Sequence, residues 1–360
     1  MNQSKESGTP APEVQKDLHI DIERPWLSRF HFLKEHGYLL RARYRPGWVP
    51  SWKDNPDVFK LEREDGVNIR VRLLDAQRIS DGQFVMIKEV KSSSKEGLIA
   101  CYLSSEKFKS DPRNHAVPVL DVLKDVVRSG TVLLVFPVLR HITDPPISSV
   151  SEALDLVGQT LEGLVFLHEH EVAHRDCAFG NIMMDARALF PTQWHPQFPH
   201  CDLQNRIYMR IKSRTDVGGV RYYFTDFGLS SKGEVQVTGL AGLEPSPELS
   251  DHVPYNPYKL DVYILGKMYQ RKILDEFINV GFLQPLIDRM TSLNPVDYLS
   301  AVGAYAMFKD IRASLNIAWF NQRLRKRESR LVARFLKESS YWLQLQLTQL
   351  SAKPVLPPLQ

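Results

Sequence analysis

The order of the secondary-structure signals along the sequence predicts an α+β protein in two lobes. Strand-like patterns come early, at 67–88 and 131–139, and mostly helical patterns follow from 149 onward. No internal repeat interrupts this order. Strands first and helices afterwards are typical of a small antiparallel sheet followed by a mainly helical region.

The individual elements follow from local patterns. The stretches VNIRVRLL, DAQRI and QFVMIK at 67–88, with SDG as a turn signal, predict an antiparallel meander. KEGLIACYL at 95–103 predicts a helix that carries Glu96 on its apolar, inward face. TVLLVFPVL at 131–139 predicts a buried strand, and the apolar stripe at 149–169 predicts a long helix.

The composition is that of an ordinary globular protein. The chain has 360 residues, of which 43% are hydrophobic and 24% charged, and its formal net charge is +4. Seven Arg or Lys against two Glu at 321–340 account for the excess, so wholesale nucleic-acid binding is not expected. The longest apolar run, at 132–139, is far short of the about 20 residues of a membrane span. With a polar start and three widely spaced cysteines, the sequence predicts a cytoplasmic or nuclear protein without signal peptide or transmembrane segment.

Four residues of the sequence suit phosphoryl transfer. That reaction needs neutralised phosphates, a held metal and an aligned hydroxyl, and therefore a lysine, two metal-binding groups and a carboxylate. The chain supplies them in order: Lys88 in FVMIK, Asp176 and Asn181 in HRDCAFGN, and Asp226 in DFG.

With these motifs the chain resembles the eukaryotic protein-kinase superfamily, over roughly 66–315. SPEL at 246–249 and DVYILG at 261–266 extend the match. The chain also resembles the divergent kinase-like proteins numerous in basidiomycete fungi, which share the phrases RISDG, PRNHAVPVLDVL and HRDC followed by NIMMD. The resemblance implies a bilobal protein-kinase-like fold, with a small antiparallel-sheet N-lobe plus one helix and a mainly helical C-lobe. The expected segments are a disordered tail (1–17), an N-terminal extension (18–65), the N-lobe and hinge (66–139), the C-lobe (140–315, with an insert at 186–220) and a basic helical tail (316–360).

The resemblance also implies roles for single residues. Lys88 would bind the α and β phosphates of ATP and pair with Glu96. Asp176 would accept or orient the proton of the substrate hydroxyl, and Asn181 and Asp226 would bind Mg²⁺. A further catalytic-loop residue, Arg175, would read a phosphorylated activation segment. The residues expected around adenine are Leu73, Met86, Phe136, Val138 and Met183.

Several positions depart from the kinase pattern. GVNIRV at 66–71 keeps only the first glycine of the expected phosphate-covering loop, so Asn68 would bring a side chain where backbone amides approach phosphates. Met86 replaces a small residue, and Ala178 replaces a lysine near the transferred phosphate. The arginine that usually pairs with Glu248 would fall near Tyr298, so Glu248 needs another partner.

Three functions stay open from the sequence. The first is a protein kinase transferring the γ-phosphoryl of Mg-ATP to Ser or Thr hydroxyls of an unidentified protein. The second is a pseudokinase-like binding scaffold, which the degenerate glycine loop, Met86 and Ala178 favour. The third is a small-molecule kinase, which the combination of HRD, DFG, SPE and DVYILG disfavours. Ser230, Ser231 and Thr238 are candidate phosphorylation sites.

Overall fold

The computed structural model describes residues 20–53, 65–66, 70–194, 199–201, 208–240, 242, 244–292, 294 and 299–327. The expected disordered tail at 1–17 lies outside these ranges, as does 328–360, which holds most of the predicted basic tail. The architecture is α+β. The chain divides into two compact units, one formed by 1–90 and 121–136, the other by 91–120 and 137–360.

An antiparallel sheet forms the centre of the first unit. Its strands lie in the order β1-β2-β3-β5-β4: β1 (Tyr38–Leu40), β2 (Leu73–Arg78), β3 (Phe84–Lys91), β4 (Asp121–Lys124) and β5 (Thr131–Pro137). The β2–β3 hairpin turns at the predicted SDG signal, with Gln77 opposite Phe84 and Leu73 opposite Lys88. The meander prediction is thus confirmed for these two strands.

Helix α1 (Arg24–Glu35) covers one face of this sheet. Its Trp26, Phe30 and Leu33 pack with alternate residues of the strands, among them Ile87. The guanidinium of Arg29 is fully buried and binds Glu89 at 2.6 Å and Asp125 at 2.5 Å. Because a broken buried pair leaves an uncompensated charge, this network fixes α1 against the sheet.

The segment 18–65, expected as an extension packed on the domain, supplies part of the sheet itself. Besides α1 it contributes β1, whose three residues are too few for an alternating pattern to be recognised. The strand predicted from position 67 begins only at Leu73, because Arg72 adopts a left-handed conformation with φ of 60°. Asn68 lies outside the described residues, and Gly66 is buried.

The second unit is mainly helical. Its helices are α2 (Lys95–Leu103), α3 (Val150–Glu169), α4 (Pro257–Tyr269), α5 (Gln284–Met290), α6 (Ala301–Ser314) and α7 (Ile317–Phe320). Helix α3 begins after Ser149, whose side chain accepts a hydrogen bond from Glu152 N, as is usual for an N-terminal cap. The predictions of α2 and α3 are confirmed. No helix within the described ranges is both long and apolar enough to cross a bilayer.

Short strands complete the second unit: β6 (Arg140–His141), β7 (Val172–Ala173), β8 (Ile182–Asp185), β9 (Arg221–Phe224), β10 (Ser231–Lys232), β11 (Val237–Gly239) and β12 (Ser250–Tyr255). They form a three-stranded sheet β6-β8-β9 and the antiparallel pairs β7–β10 and β11–β12.

Helix α2 belongs to the second unit because the chain after it is bound to β9. Phe224 N donates to His115 O, and Val117 N donates to Phe224 O, at 2.7 and 2.9 Å. The buried Asn114 amide donates to Leu103 O, the last residue of α2, at 2.8 Å. The end of α2 and the strand that leads to Asp226 are therefore parts of one structure.

Candidate active site

Four of the predicted nucleotide-binding residues lie on one face of the first unit's sheet. Ile87 and Glu89 of β3 point toward α1, so the alternation of a strand places Met86 and Lys88 on the opposite face. Leu73 shares that face because it pairs directly with Lys88. On β5, Leu133 and Val135 pack in the core beneath α1. By the same alternation, Phe136 lies on the opposite face of the sheet, as Lys88 does.

The remaining predicted site residues lie in the second unit: Glu96, Val138, Arg175, Asp176, Asn181, Met183 and Asp226. Met183 lies on β8, where it pairs with His141 of β6. Both Val138 and Met183 are half-buried.

A buried carboxylate holds the loop 174–181, which we call the HRD loop. Asp261 of α4 is fully buried and accepts hydrogen bonds from His174 N at 2.8 Å and Arg175 N at 2.5 Å. It also binds His168 Nε2 at 2.9 Å, at the end of α3. Charged acceptors form the stronger class of hydrogen bonds, so Asp261 fixes the backbone that precedes Asp176. Asp261 is the first residue of DVYILG, so this motif anchors the HRD loop.

His174 sets the direction of the same loop from inside the core. Its side chain contacts Thr225 O through Nε2 at 3.1 Å, while Asp176 N donates to Nδ1 at 3.3 Å. These partners require the proton on Nε2 and a neutral ring. Burial lowers the pKa of His174, which agrees with the neutral form. The ring is a structural link between the HRD loop and the end of β9.

Asp176 is oriented by Asn181. The Asn181 amide nitrogen donates to Asp176 O at 2.9 Å and to Asp176 Oδ2 at 2.8 Å. The spacing of five residues is bridged by the short 3₁₀ turn Phe179–Asn181. Since the amide nitrogen is directed at Asp176, the amide oxygen of Asn181 points away from it and can serve as a ligand.

Asp226 is tied to the same turn through the residue before it. Thr225 donates to Asn181 O from both its backbone N, at 2.8 Å, and its hydroxyl, at 3.1 Å. Asp226 itself adopts a left-handed conformation, with φ of 61°, and its side chain accepts a hydrogen bond from Gly228 N. Such a conformation is uncommon outside glycine and is often found at functional sites. Asn181 is thus hydrogen-bonded directly to the residue that precedes Asp226.

Glu96 lies close to this group. A Cβ placed on Gly228 would be 3.8 Å from Glu96 Oε2 and 3.1 Å from Asp226 Oδ1. The first turn of α2 therefore approaches the DFG residues inside the second unit. Glu96 is half-buried and faces inward, as the sequence predicted.

The side chain of Arg175 is hydrogen-bonded to the segment 226–248. Its Nη2 donates to Thr238 O at 3.0 Å and to the Tyr255 hydroxyl at 2.9 Å, and Tyr255 donates in turn to Gly239 O. Its Nε is buried and makes no hydrogen bond within the described residues. Arg175 therefore joins the HRD loop to the strand pair β11–β12.

The candidate phosphorylation sites differ in exposure. Ser230 is 2% exposed and donates to His174 O, and Ser231 is 1% exposed. Thr238 is exposed and lies beside Arg175. Of the three, Thr238 alone is accessible to another enzyme in this conformation.

Gly242 closes over the carboxylate of Asp176. A Cβ at this position would overlap Asp176 Oδ1, and φ is 69°, so no other residue fits here without displacement of the segment. Two residues later Glu244, only 8% exposed, binds Arg271 at 2.6 Å. Sequence reasoning did not find this contact, because nothing local in TGLAGLEP shows which carboxylate it will meet.

Two of the departures from the kinase pattern can be followed further. Ala178 is buried, with 3% exposure, so its side chain points into the unit. Glu248 lies near Lys259, burial raises its pKa, and its Oε2 makes no hydrogen bond within the described residues. Tyr298, the expected partner position, lies outside them.

The candidate metal ligands are the side-chain oxygens of Asn181 and Asp226. Within the described ranges, no three His, Cys, Asp or Glu side chains cluster as a ready-made metal site. Mg²⁺, however, is commonly held by one or two protein oxygens together with waters and substrate phosphates. Asn181 and Asp226 offer such a pair, and they fit a nucleotide-borne Mg²⁺ better than a resident ion.

No family model matches the chain, and no curated protein matches its sequence. The functional assignment therefore depends on the residues and their geometry.

Proposed function

We propose that the chain is a protein kinase with a bilobal protein-kinase-like fold, which transfers the γ-phosphoryl of Mg-ATP to Ser or Thr hydroxyls of a protein substrate. The contact between Asn181 and Asp176 carries the proposal, because it orients a carboxylate at the base of a loop that also presents metal-binding oxygens. The antiparallel sheet of the first unit and the mainly helical second unit support the fold.

Each residue then has a task in the reaction. Asp176 accepts or orients the proton of the attacking hydroxyl. Lys88 neutralises the α and β phosphates, with Glu96 as its expected partner. Asn181 and Asp226 hold Mg²⁺, which when bound neutralises charge on the phosphates. The proposed adenine-binding residues are Leu73, Met86, Phe136, Val138 and Met183.

The alternative is a pseudokinase-like scaffold with weak or no catalysis. It is favoured by the backbone of Gly242, which lies against Asp176 Oδ1 where a substrate hydroxyl would approach. The degenerate sequence at 66–71, which lacks the glycines that let backbone amides reach phosphate, points the same way.

Phosphate transfer from γ-labelled ATP, with Mg²⁺ and Mn²⁺, separates the two functions. For a kinase we expect autophosphorylation or labelling of a protein substrate that falls about 10²- to 10⁴-fold in Asp176→Asn and is abolished in Asp226→Ala. Asp288→Asn, on the exposed surface of α5, is the matched control. Labelling that is equal in wild type and Asp176→Asn would overturn the kinase proposal and leave the scaffold.

A further inference from the structure

An aromatic ring with an ammonium group on it lies beside the candidate active site. Phe179, three residues after Asp176, begins the 3₁₀ turn that carries Asn181. The Nζ of Lys272 is 4.2 Å from the centroid of the Phe179 ring, and the His141 ring contacts the same ring edge-on at 4.2 Å. All three side chains are half-buried.

Within the described part of the chain, no carboxylate forms an ion pair with Lys272. No ion pair of the described residues includes Lys272, and its contact is the face of the Phe179 ring. Two carboxylates of this region already have cationic partners: Asp144, which like Lys272 acts on His141, pairs with Arg140, and Glu244 pairs with Arg271, the neighbour of Lys272. Burial lowers the pKa of His141 and the charge of Lys272 adds to this, so the imidazole is neutral at pH 7 and does not compete for an anion.

The turn that supplies Lys272 is also linked to the chain segment that lies against the carboxylate of Asp176. Lys272 lies in the π-helical turn Gln270–Leu274, directly after α4. Its neighbour Arg271 binds Glu244, two residues beyond Gly242, which lies against Asp176. The turn thus lies next to both chain segments that border Asp176. π-Helical turns are rare and occur frequently at functional sites.

We infer that Lys272, supported on the ring of Phe179, is a specificity residue that binds a carboxylate side chain of the protein substrate near the phosphoacceptor. A cation fixed on an aromatic face keeps its outward N–H groups for an anion. The inference rests on the proposed function, since only a kinase has a phosphoacceptor substrate. Binding of the carboxylate itself requires neither ATP nor turnover.

Peptide binding tests the inference without catalysis. Fluorescein-labelled decapeptides with alanine in place of the phosphoacceptor, and either Glu or Lys at the surrounding positions, are titrated with the full chain by fluorescence polarisation. We expect the Glu peptides to bind about five- to tenfold more tightly than the Lys peptides. Lys272→Met, which retains an apolar contact with Phe179, should remove this preference, and Lys272→Glu should reverse it.

Lys309→Met is the matched control, because Lys309 also rests on an aromatic ring, that of Tyr305 at 4.8 Å, but lies on α6. It should keep the preference. Equal binding of the two peptide sets, no binding of either set, or a preference that survives Lys272→Met would overturn the inference. Failure of the proposed function would appear separately, as a Lys272-dependent preference in a chain that transfers no phosphate.

Discussion

The HRD loop and the 226–248 segment lie next to each other in the second unit, but they are held in different ways. The HRD loop is fixed by buried groups: Asp261 and His174 are fully buried and bind its backbone from below. In the 226–248 segment Val237 and Glu244 are buried, but the side chains of Val235 and Leu240 are 71% and 69% exposed. Segments with few buried contacts open at low free-energy cost.

The difference indicates a division of roles. Asp176 and Asn181 are held by hydrogen bonds of the folded chain itself, which is the preorganisation that the proposed catalysis requires. The residue that covers Asp176, Gly242, belongs to the segment with the weaker attachment. We therefore expect access to Asp176 to depend on the opening of this segment.

Removing the carboxylate of Asp261 should have the largest effect. Asp261→Ala leaves the buried N–H groups of His174 and Arg175 without an acceptor, and we expect the free energy of unfolding to fall by about 3–5 kcal/mol in urea denaturation. Asp288→Ala, an exposed aspartate that accepts from Gln284, should change it by less than about 0.5 kcal/mol. A small loss for Asp261→Ala would mean that the HRD loop is not held by this group.

A smaller loss is expected where α4 packs on α5. A Cβ on Gly266 would lie 2.7 Å from Met290 Cβ and 2.9 Å from Thr291 Cγ2, so Gly266→Ala should cost about 1–3 kcal/mol through overpacking. Around Gly281 no atom lies within 4 Å of such a Cβ, and Gly281→Ala serves as control in the same denaturation series. If both substitutions are neutral, the packing of α4 on α5 is less tight than the distances at Gly266 indicate.

Helix α3 beneath the HRD loop carries a pH-dependent group. Burial raises the pKa of Asp155 from its ordinary 3.8 to about 6. The folded chain then holds this proton more tightly than the unfolded chain, so stability falls as the pH rises from about 4 to about 6.

Asp155→Asn should therefore stabilise the protein at pH 7 by about 1–2 kcal/mol, a value reduced from the full shift because the side chain is half-buried. Gln159, which donates to this carboxylate, can still bind the amide oxygen. The gain should vanish near pH 4 in thermal denaturation. A gain that is equal at both pH values would show that charge burial is not its cause.

Arg271→Ala should have the smallest effect on global stability. It should, however, distinguish the HRD loop from the 226–248 segment most clearly. Arg271 is about half exposed, so the pair with Glu244 contributes under about 1 kcal/mol to the unfolding free energy. Without Arg271 the buried Glu244 carboxylate has lost its cation, so opening of the segment, which exposes this carboxylate to water, becomes more favourable. Amide hydrogen exchange at 237–239 and 250–255 should therefore accelerate several-fold, while exchange at 172–185 stays unchanged.

Arg289→Ala, on the exposed face of α5, is the control. Equal acceleration in both regions would contradict the distinction between them.

The sequence predicted the parts of the molecule that are determined locally. The helices α2 and α3 and the β2–β3 hairpin follow from periodicity, caps and a turn signal, and HRD, DFG and DVYILG indicated which groups would be near Asp176. The strand β1 could not be predicted because its three residues are too few to show alternation. The late start of β2 could not be predicted because nothing in the sequence marks Arg72 as left-handed.

Contacts between distant segments could not be predicted from single motifs. Gly242 over Asp176, His168 on Asp261 and Lys272 on Phe179 join residues far apart in the chain. Each residue alone has an ordinary interpretation as a turn glycine, a helix-end histidine or a surface lysine. The fold brings the two residues of each pair together, and no local sequence pattern indicates these contacts.

A thermal-shift titration with Mg-ATP tests the central proposal most directly, since a ligand that binds the folded chain raises its melting temperature in proportion to the logarithm of ligand over Kd. We predict a rise in Tm that continues with Mg-ATP concentration in the wild type and is largely lost in both Lys88→Met and Asp226→Ala, whereas Lys309→Met keeps it. A wild-type Tm that does not respond to millimolar Mg-ATP, or a rise in Tm that is as large in Lys88→Met and Asp226→Ala as in the wild type, would contradict the proposal that these residues bind a magnesium nucleotide.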